Sequence, residues 1–334
     1  AAHRALADAQ MAREVFVFLL QKLYEIDLVI LSELARLSDK TTWWLGDFLN
    51  QVATERGANI LLAEANLDKV CFSWKRPRPA EALSPAETRA YLDIQELTSF
   101  FDEEGPIGHA VPDYEKRPQQ IHMMRAVADA LNSEEHLLVE AGTGTGKSIA
   151  YLIPSAIFAL QNSTPVIVST NTINLQEQLM HKDIPGMISA LAEREHLDGL
   201  KVVQLKGRTN YLCLRRWDIM RKAEGLPAEA IPLLTRIQVW LPSTRTGDRS
   251  EITIDSNEST YWNRVCAQPY DCLGKQCPYH HRGLCFLYRA RKEAESAHLI
   301  VTNHALLLSE ISSSRQILPP YKHLVIDEAH HLED

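Results

Sequence analysis

Residues 136–148 read HLLVEAGTGTGKS, and no other stretch narrows the possible folds of this chain as far. An apolar run, Leu137-Leu138-Val139, leads into a turn with glycine at alternate positions, which ends on Lys147-Ser148. Without a Cβ, Gly142, Gly144 and Gly146 can take positive φ and turn several N–H groups toward one anion, and Thr143 and Thr145 lie between them. Lys147 supplies a point charge for the β and γ phosphates, and the Ser148 hydroxyl can ligate Mg²⁺. The helix predicted from Lys147 to about Leu160 adds the positive end of its dipole. Together these residues predict a buried strand, a phosphate loop and a helix, holding a nucleoside triphosphate. The pattern is A-x-x-x-x-G-K-S, with Ala141 where the general form has glycine.

A second stretch complements the first. His323 to Ile326 reads as another buried strand, with Asp327-Glu328 at its carboxyl end and His330 two residues on, giving D-E-A-H. Hydrolysis of Mg²⁺·ATP needs acids there: Asp327 to hold the metal and Glu328 to polarise the attacking water. Lys147, Asp327, Glu328 and His330 are therefore the candidate catalytic residues. Arg117-Pro118-Gln119-Gln120 opens a helix just ahead of the loop, with Met123, Met124, Val127 and Leu131 toward a core. Gln120, with its paired donor and acceptor, suits an adenine edge, and Arg117 joins it as a candidate nucleotide contact.

Strands are expected at 136–140, 165–170, 201–205, 298–302 and 323–327, with helices between, which implies a parallel sheet binding ligands at its carboxyl ends. Ser169-Thr170-Asn171-Thr172 follows one such end; these side chains suit DNA phosphates and simple helix capping equally. Upstream, residues 3–23 have the spacing of an amphipathic helix, and 27–72 read as further helices and a short strand, with Trp43, Trp44, Leu45 and Phe48 in a core. Residues 75–85, rich in proline, form a linker, and 85–105 are helical in pattern up to Gly105-Pro106.

With 334 residues and 45% hydrophobic content the chain has room for about two folded domains, and no apolar run reaches membrane-spanning length. The expectation is a cytoplasmic protein. A net charge of −8 excludes coating of nucleic acid by bulk attraction, so any DNA contact must come from local basic patches. Six cysteines include Cys266, Cys272, Cys277 and Cys285 close together, a crowding that favours metal ligation over disulfides; Cys71 is read as buried.

Residues 206–297 interrupt the strand–helix alternation. Cys272, Cys277 and Cys285 flank the turn formers Gly274, Pro278 and Gly283, and with Cys213 their thiolates can converge on one metal, iron–sulfur or zinc alike. Cys266 is left out of that set, and His280 and His281 are read as exposed. Lys206, Arg208, Arg215, Arg216, Arg282, Arg289, Arg291 and Lys292 lie beside the thiols. Tyr211, Trp217, Tyr279, Phe286 and Tyr288 interleave with them as candidate base-stacking surfaces. The insert reads as a wedge for a DNA strand; the competing reading is a zinc-stapled DNA-binding module with a nucleotide switch.

RPQQ at 117–120, AGTGTGKS at 141–148, STNTINLQEQL at 169–179, KGRTNYLCLRRW at 206–217, CLGKQC at 272–277 with Cys285, VTNHALL at 301–307 and DEAH at 327–330 resemble the first motor lobe of DinG-like helicases. These form the iron–sulfur branch of superfamily two that includes the XPD type. His3 and Asp8, as H-x-A-x-x-D, resemble the last motif of DEDDh 3′–5′ exonucleases, so the whole resembles the fused exonuclease–helicase variety. The resemblance implies an α/β fold: a RecA-like P-loop NTPase lobe, a parallel sheet flanked by helices, with a cysteine-rich iron–sulfur insert and a mainly helical N-terminal region before it. It implies residues 1–24 as the end of a nuclease domain, 25–106 as a connector and 107–334 as the motor lobe. It further implies a [4Fe–4S] cluster on Cys213, Cys272, Cys277 and Cys285, ATP-driven 5′→3′ unwinding of DNA, and work in DNA repair or replication. The resemblance expects a second motor lobe that these residues do not supply, so the 334-residue chain is expected to bind Mg²⁺·ATP weakly and to unwind nothing alone.

Overall fold

A computed structural model describes residues 2–39, 43, 45–57, 81–110, 114–142, 144–192, 197–312 and 317–333. Thr143, Trp44, Cys71 and most of the 75–85 linker lie outside the described residues, as does the side chain of His3 and the short strand expected before 72. The chain forms two compact units, one of residues 1–76 with 208–287 and one of 77–207 with 288–334.

The second unit is built on a parallel sheet in the order β2 (Val202–Gln204), β3 (Leu299–Asn303), β1 (Val166–Thr170), β4 (His323–Ile326). Parallel neighbours cannot be joined by tight turns, so helices lie between successive strands. β1 is buried along its whole length, and its side chains alternate between two cores. Val166 and Val168 join Leu299 and Val301 under the helices Pro118–Ser133, Lys147–Gln161 and Ile184–Leu191. Ile167 and Ile300 face the opposite layer with Ala294, Leu306 and Leu307. Full burial of each such Val or Ile contributes about 1.5–3 kcal/mol, so the period-two pattern fixes the register. The helix Lys147–Gln161 is buried from Ala150 to Ala159, which is why its apolar residues occupy every face.

The strand expected over 136–140 does not form: residues 135–142 have no regular structure, and Leu138 is 93% exposed. An apolar run encodes side chains that seek burial; a strand also needs a neighbouring ladder, which periodicity does not specify. The helix expected over 85–105 contracts to Ile94–Ser99. Ahead of it the backbone is held extended by amides from elsewhere. Asn162 bonds both polar groups of Ala90, Asn132 bonds both of Leu92, and Arg89 donates to the carbonyls of Leu131 and Asn132. The Asp93 carboxylate then caps the helix by accepting from Gln95 and Glu96. At its far end Gly105 is required, because a Cβ there would meet the Ser99 carbonyl.

The first unit contains the helices Ala2–Glu25, Leu28–Ser38 and Gly46–Glu55 together with the cysteine-bearing residues. Within it Glu33, fully buried, forms ion pairs with Arg36 and, at 2.9 Å, with Arg221. A buried carboxylate is costly unless paired and hydrogen-bonded, so these two arginines account for its position. Tyr211, Trp217 and Phe286 are 2%, 3% and 1% exposed, which removes them as base-stacking surfaces. Their sequence neighbours are basic, but their rings are buried, as is Trp262, whose indole donates to the Thr209 carbonyl. Gly247, at φ 65°, lies flat against the Phe286 ring, where a Cβ would collide.

Candidate nucleotide site

Three carbonyls of the glycine loop each accept a hydrogen bond from a side chain. Thr145 Oγ1 donates to Gly142 O at 2.9 Å, Arg117 Nη1 to Gly144 O at 2.5 Å and Gln120 Nε2 to Gly146 O at 3.0 Å. In a trans peptide the N–H points opposite to the C=O. Anchoring the carbonyls of Gly144 and Gly146 therefore turns the N–H groups of Thr145 and Lys147 to the other side of the loop. Gly144 and Gly146 adopt φ 78° and 77°, and a Cβ on Gly146 would run into the Gln120 amide. Gln120 is 7% exposed with its donor on this loop carbonyl, so here it braces the loop rather than an adenine edge. Pro118 at the first helical position and extended Arg117 before it set both side chains at the loop.

Lys147 begins the next helix and its Nζ donates to Glu328 Oε1 at 2.7 Å. The strand β4 delivers Asp327 and Glu328 to this point, with the Asp327 N–H bonded to the Ser169 carbonyl at 2.9 Å as the ladder ends. Glu328 takes φ 54°, an uncommon conformation for a residue with a side chain, of the kind that accumulates at functional sites. His330 is 67% exposed on its side chain, 3.6 Å from Glu328 Oε2.

The two acids differ in environment. The hydrogen bond from Lys147 holds the Glu328 carboxyl below its usual range, against a smaller opposing effect of burial. Burial pushes Asp327 up, a push reinforced by the Glu328 charge and offset in part by Tyr151 and Lys147. Tyr151 OH lies 3.2 Å from Asp327 Oδ2, one helical turn beyond Ser148. Oxygen donors of this type, a carboxylate and a hydroxyl, fit a small hard cation such as Mg²⁺. The sequence gave no sign of Tyr151, because its partner lies on a strand far downstream.

At the neighbouring strand end Ser169 and Thr170 are fully buried. Ser169 Oγ pairs with His304 Nδ1 at 2.8 Å, and Thr172 caps the following helix by accepting from Leu175 N at 3.2 Å. Capping therefore accounts for Thr172. Lys206, expected beside the thiols as part of a basic patch, is 2% exposed and paired with Glu177 at 2.5 Å.

Cys213 and Cys277 each occupy the residue before a helix, Leu214–Lys222 and Pro278–His281, and Cys285 directly precedes Phe286–Ala294. Burial pushes the Cys213 thiol up, against a smaller opposing effect of the backbone N–H groups of Arg216 and Arg215. Cys266 instead closes a helix, is fully buried, and its sulfur is engaged by Asn263 O and Gln268 Nε2. The donor chemistry of Cys213, Cys277 and Cys285 thus suits a metal–thiolate centre. The positions do not: among the described residues no three His, Cys, Asp or Glu side chains converge to hold an ion, and Cys272 is exposed. No described helix is long and apolar enough to cross a membrane.

Residues 118–195, which include the phosphate loop, match the DEAD/DEAH box helicase family. Over 331 residues, 99% of the chain, it is 32% identical to the 3'-5' exonuclease DinG of Bacillus subtilis, of which it covers 34%. It is 40% identical over 234 residues, 66% of the chain, to the ATP-dependent helicase DinG of Mycobacterium tuberculosis, covering 35% of that protein. To the ATP-dependent DNA helicase YoaA of Escherichia coli it is 36% identical over 243 residues, 71% of the chain and 36% of that protein. The chain spans about a third of the length of these relatives. Loop, acidic pair and relatives agree: the chain carries a DEAD/DEAH box helicase match and is similar to helicases named DinG and YoaA.

Proposed function

We propose that residues 107–334 are the ATP-binding motor lobe of an ATP-dependent DNA helicase. The observation that carries this reading is the 2.7 Å pair between Lys147 and Glu328, which brings the loop lysine and the acidic strand end to one place. In this reading the triphosphate enters between them and Lys147 exchanges Glu328 for the β and γ phosphate oxygens. Ser148 and Asp327 would hold Mg²⁺, which would supply positive charge against the phosphates. Glu328, released from Lys147, then orients the attacking water, with His330 beside it. Arg117 and Gln120 act on the nucleotide through the loop they brace. The pair also holds the Glu328 carboxyl below its ordinary value before the nucleotide arrives.

The finer parts of the reading are 5′→3′ translocation on single-stranded or forked DNA and a [4Fe–4S] cluster on Cys213, Cys272, Cys277 and Cys285 within the insert at about 206–297. The cluster requires the four thiols, of which Cys272 is exposed and no three converge among the described residues, to come together on it. Residues 1–24 are read as the end of a nuclease domain and 25–106 as its connector. The name of the Bacillus subtilis relative supports that assignment.

The test uses the full-length protein on forked duplexes carrying either a 5′ or a 3′ single-stranded tail. ATP-dependent strand separation from the 5′ tail, lost on Lys147→Ala, is expected. Unwinding that persists in Lys147→Ala would sink the motor assignment, and unwinding from the 3′ tail alone would reverse the direction. Iron and acid-labile sulfide in anaerobically purified protein are expected; stoichiometric zinc instead would replace the cluster.

A further inference from the structure

Tyr151 lies one helical turn beyond Ser148, so the two side chains share a face of the helix Lys147–Gln161. Tyr151 is 2% exposed, and its hydroxyl reaches Asp327 Oδ2 at 3.2 Å. One phenol on the helix that carries Ser148 therefore touches the carboxylate assigned above to the cation at the end of β4. A phenylalanine would fill the same space without the hydroxyl. Burying a phenol without a partner costs free energy, so the polar atom is explained by the carboxylate it joins. The terminal torsion of an aspartate is soft, and a ligand held by an outer hydrogen bond is better oriented toward a metal than a free one.

We propose that Tyr151 is a positioning residue of the Mg²⁺·nucleotide site, its hydroxyl orienting the Asp327 carboxylate toward the cation that Asp327 would share with Ser148. This rests on the reading of Asp327 and Ser148 as cation ligands. Loss of one hydrogen bond to a charged acceptor should weaken cation-dependent binding about tenfold. Nucleotide contacts made by the loop alone should be untouched.

The experiment measures the affinity of a fluorescent N-methylanthraniloyl ATP for the full chain, with Mg²⁺ and with EDTA, in wild type, Tyr151→Phe, Asp327→Asn and the double variant. In Tyr151→Phe the Mg²⁺-free affinity should hold within about twofold while the gain on adding Mg²⁺ falls about tenfold. In the Asp327→Asn background the same change should add nothing. Ligand-free thermal melts accompany each protein. An unchanged Mg²⁺ gain in Tyr151→Phe overturns the proposal and leaves the nucleotide reading standing. Equal weakening with and without Mg²⁺, or loss of the melting transition, overturns it in favour of a packing role. A wild-type affinity indifferent to Mg²⁺ overturns the cation assignment itself and the proposal with it.

Discussion

Replacing Lys147 with alanine separates binding from folding at this site. The lysine makes one ion pair, to Glu328 at 2.7 Å, and the side chains are 25% and 32% exposed. A pair so placed contributes at most about 1 kcal/mol to stability after screening, and the glutamate left behind remains partly in water. For a unit of this size 1 kcal/mol moves the melting midpoint by roughly 2–4 °C. The loss for nucleotide is larger. Two charge-assisted contacts to phosphate oxygens at about 1.5 kcal/mol each amount to roughly 3 kcal/mol, or about a hundredfold in Kd. Isothermal titration of Mg²⁺·ATP into wild type and Lys147→Ala, beside a thermal melt of each, checks both figures. A variant that melts within about 4 °C of wild type but binds about a hundredfold more weakly supports the account. Wild-type affinity in the variant would refute it, as would a collapse of the fold that dwarfs the binding change.

Other consequences follow from the same coordinates. Glu328 has a carboxyl held below its ordinary value of 4.5 by Lys147. A depressed value in the fold stabilises above pH 4.5, and that contribution is lost as pH falls through the folded value, so Glu328→Gln should flatten the acid limb of the stability profile there; an unchanged limb in urea titrations between neutral and acid pH would count against the pair. Arg89 donates to the carbonyls of Leu131 and Asn132, pairs with Glu134 and lies over the Phe158 ring at 5.7 Å. Arg89→Ala should cost about 2–3 kcal/mol in chemical denaturation, and a loss under about 0.5 would show those contacts to be idle. Cys266→Ser should leave the iron content of the anaerobic protein unchanged while Cys213→Ser lowers it; the reverse order would exchange their roles.

What the sequence disclosed depended on whether the deciding partners are local. The apolar runs in PVIVST and HLIVT are a property of each strand alone, and β1 and β3 formed within a residue of the expected ranges. The glycine loop and the acidic pair were legible because phosphate chemistry dictates residue types at fixed spacing, and the chain brings Lys147 to Glu328. The extended segment before Ile94 was not legible, since the amides that hold it belong to Asn132 and Asn162. Tyr211, Trp217 and Phe286 misled for a related reason: basic neighbours in sequence suggested a wet surface, whereas their rings are packed in a core. Glu33 carried no local mark of burial, because its neutralising partner Arg221 stands far along the chain. Tyr151 was likewise silent until Asp327 was placed beside it.

The central claim is that Lys147 trades a carboxylate for the outer phosphates of a nucleotide. Competition of ATP, ADP and AMP for one labelled nucleotide on the wild-type chain in Mg²⁺ tests it most directly. The account predicts that ATP and ADP displace the label and that AMP, lacking the β phosphate Lys147 would hold, displaces it at least about a hundredfold more weakly. Equal displacement by AMP and ATP would contradict it.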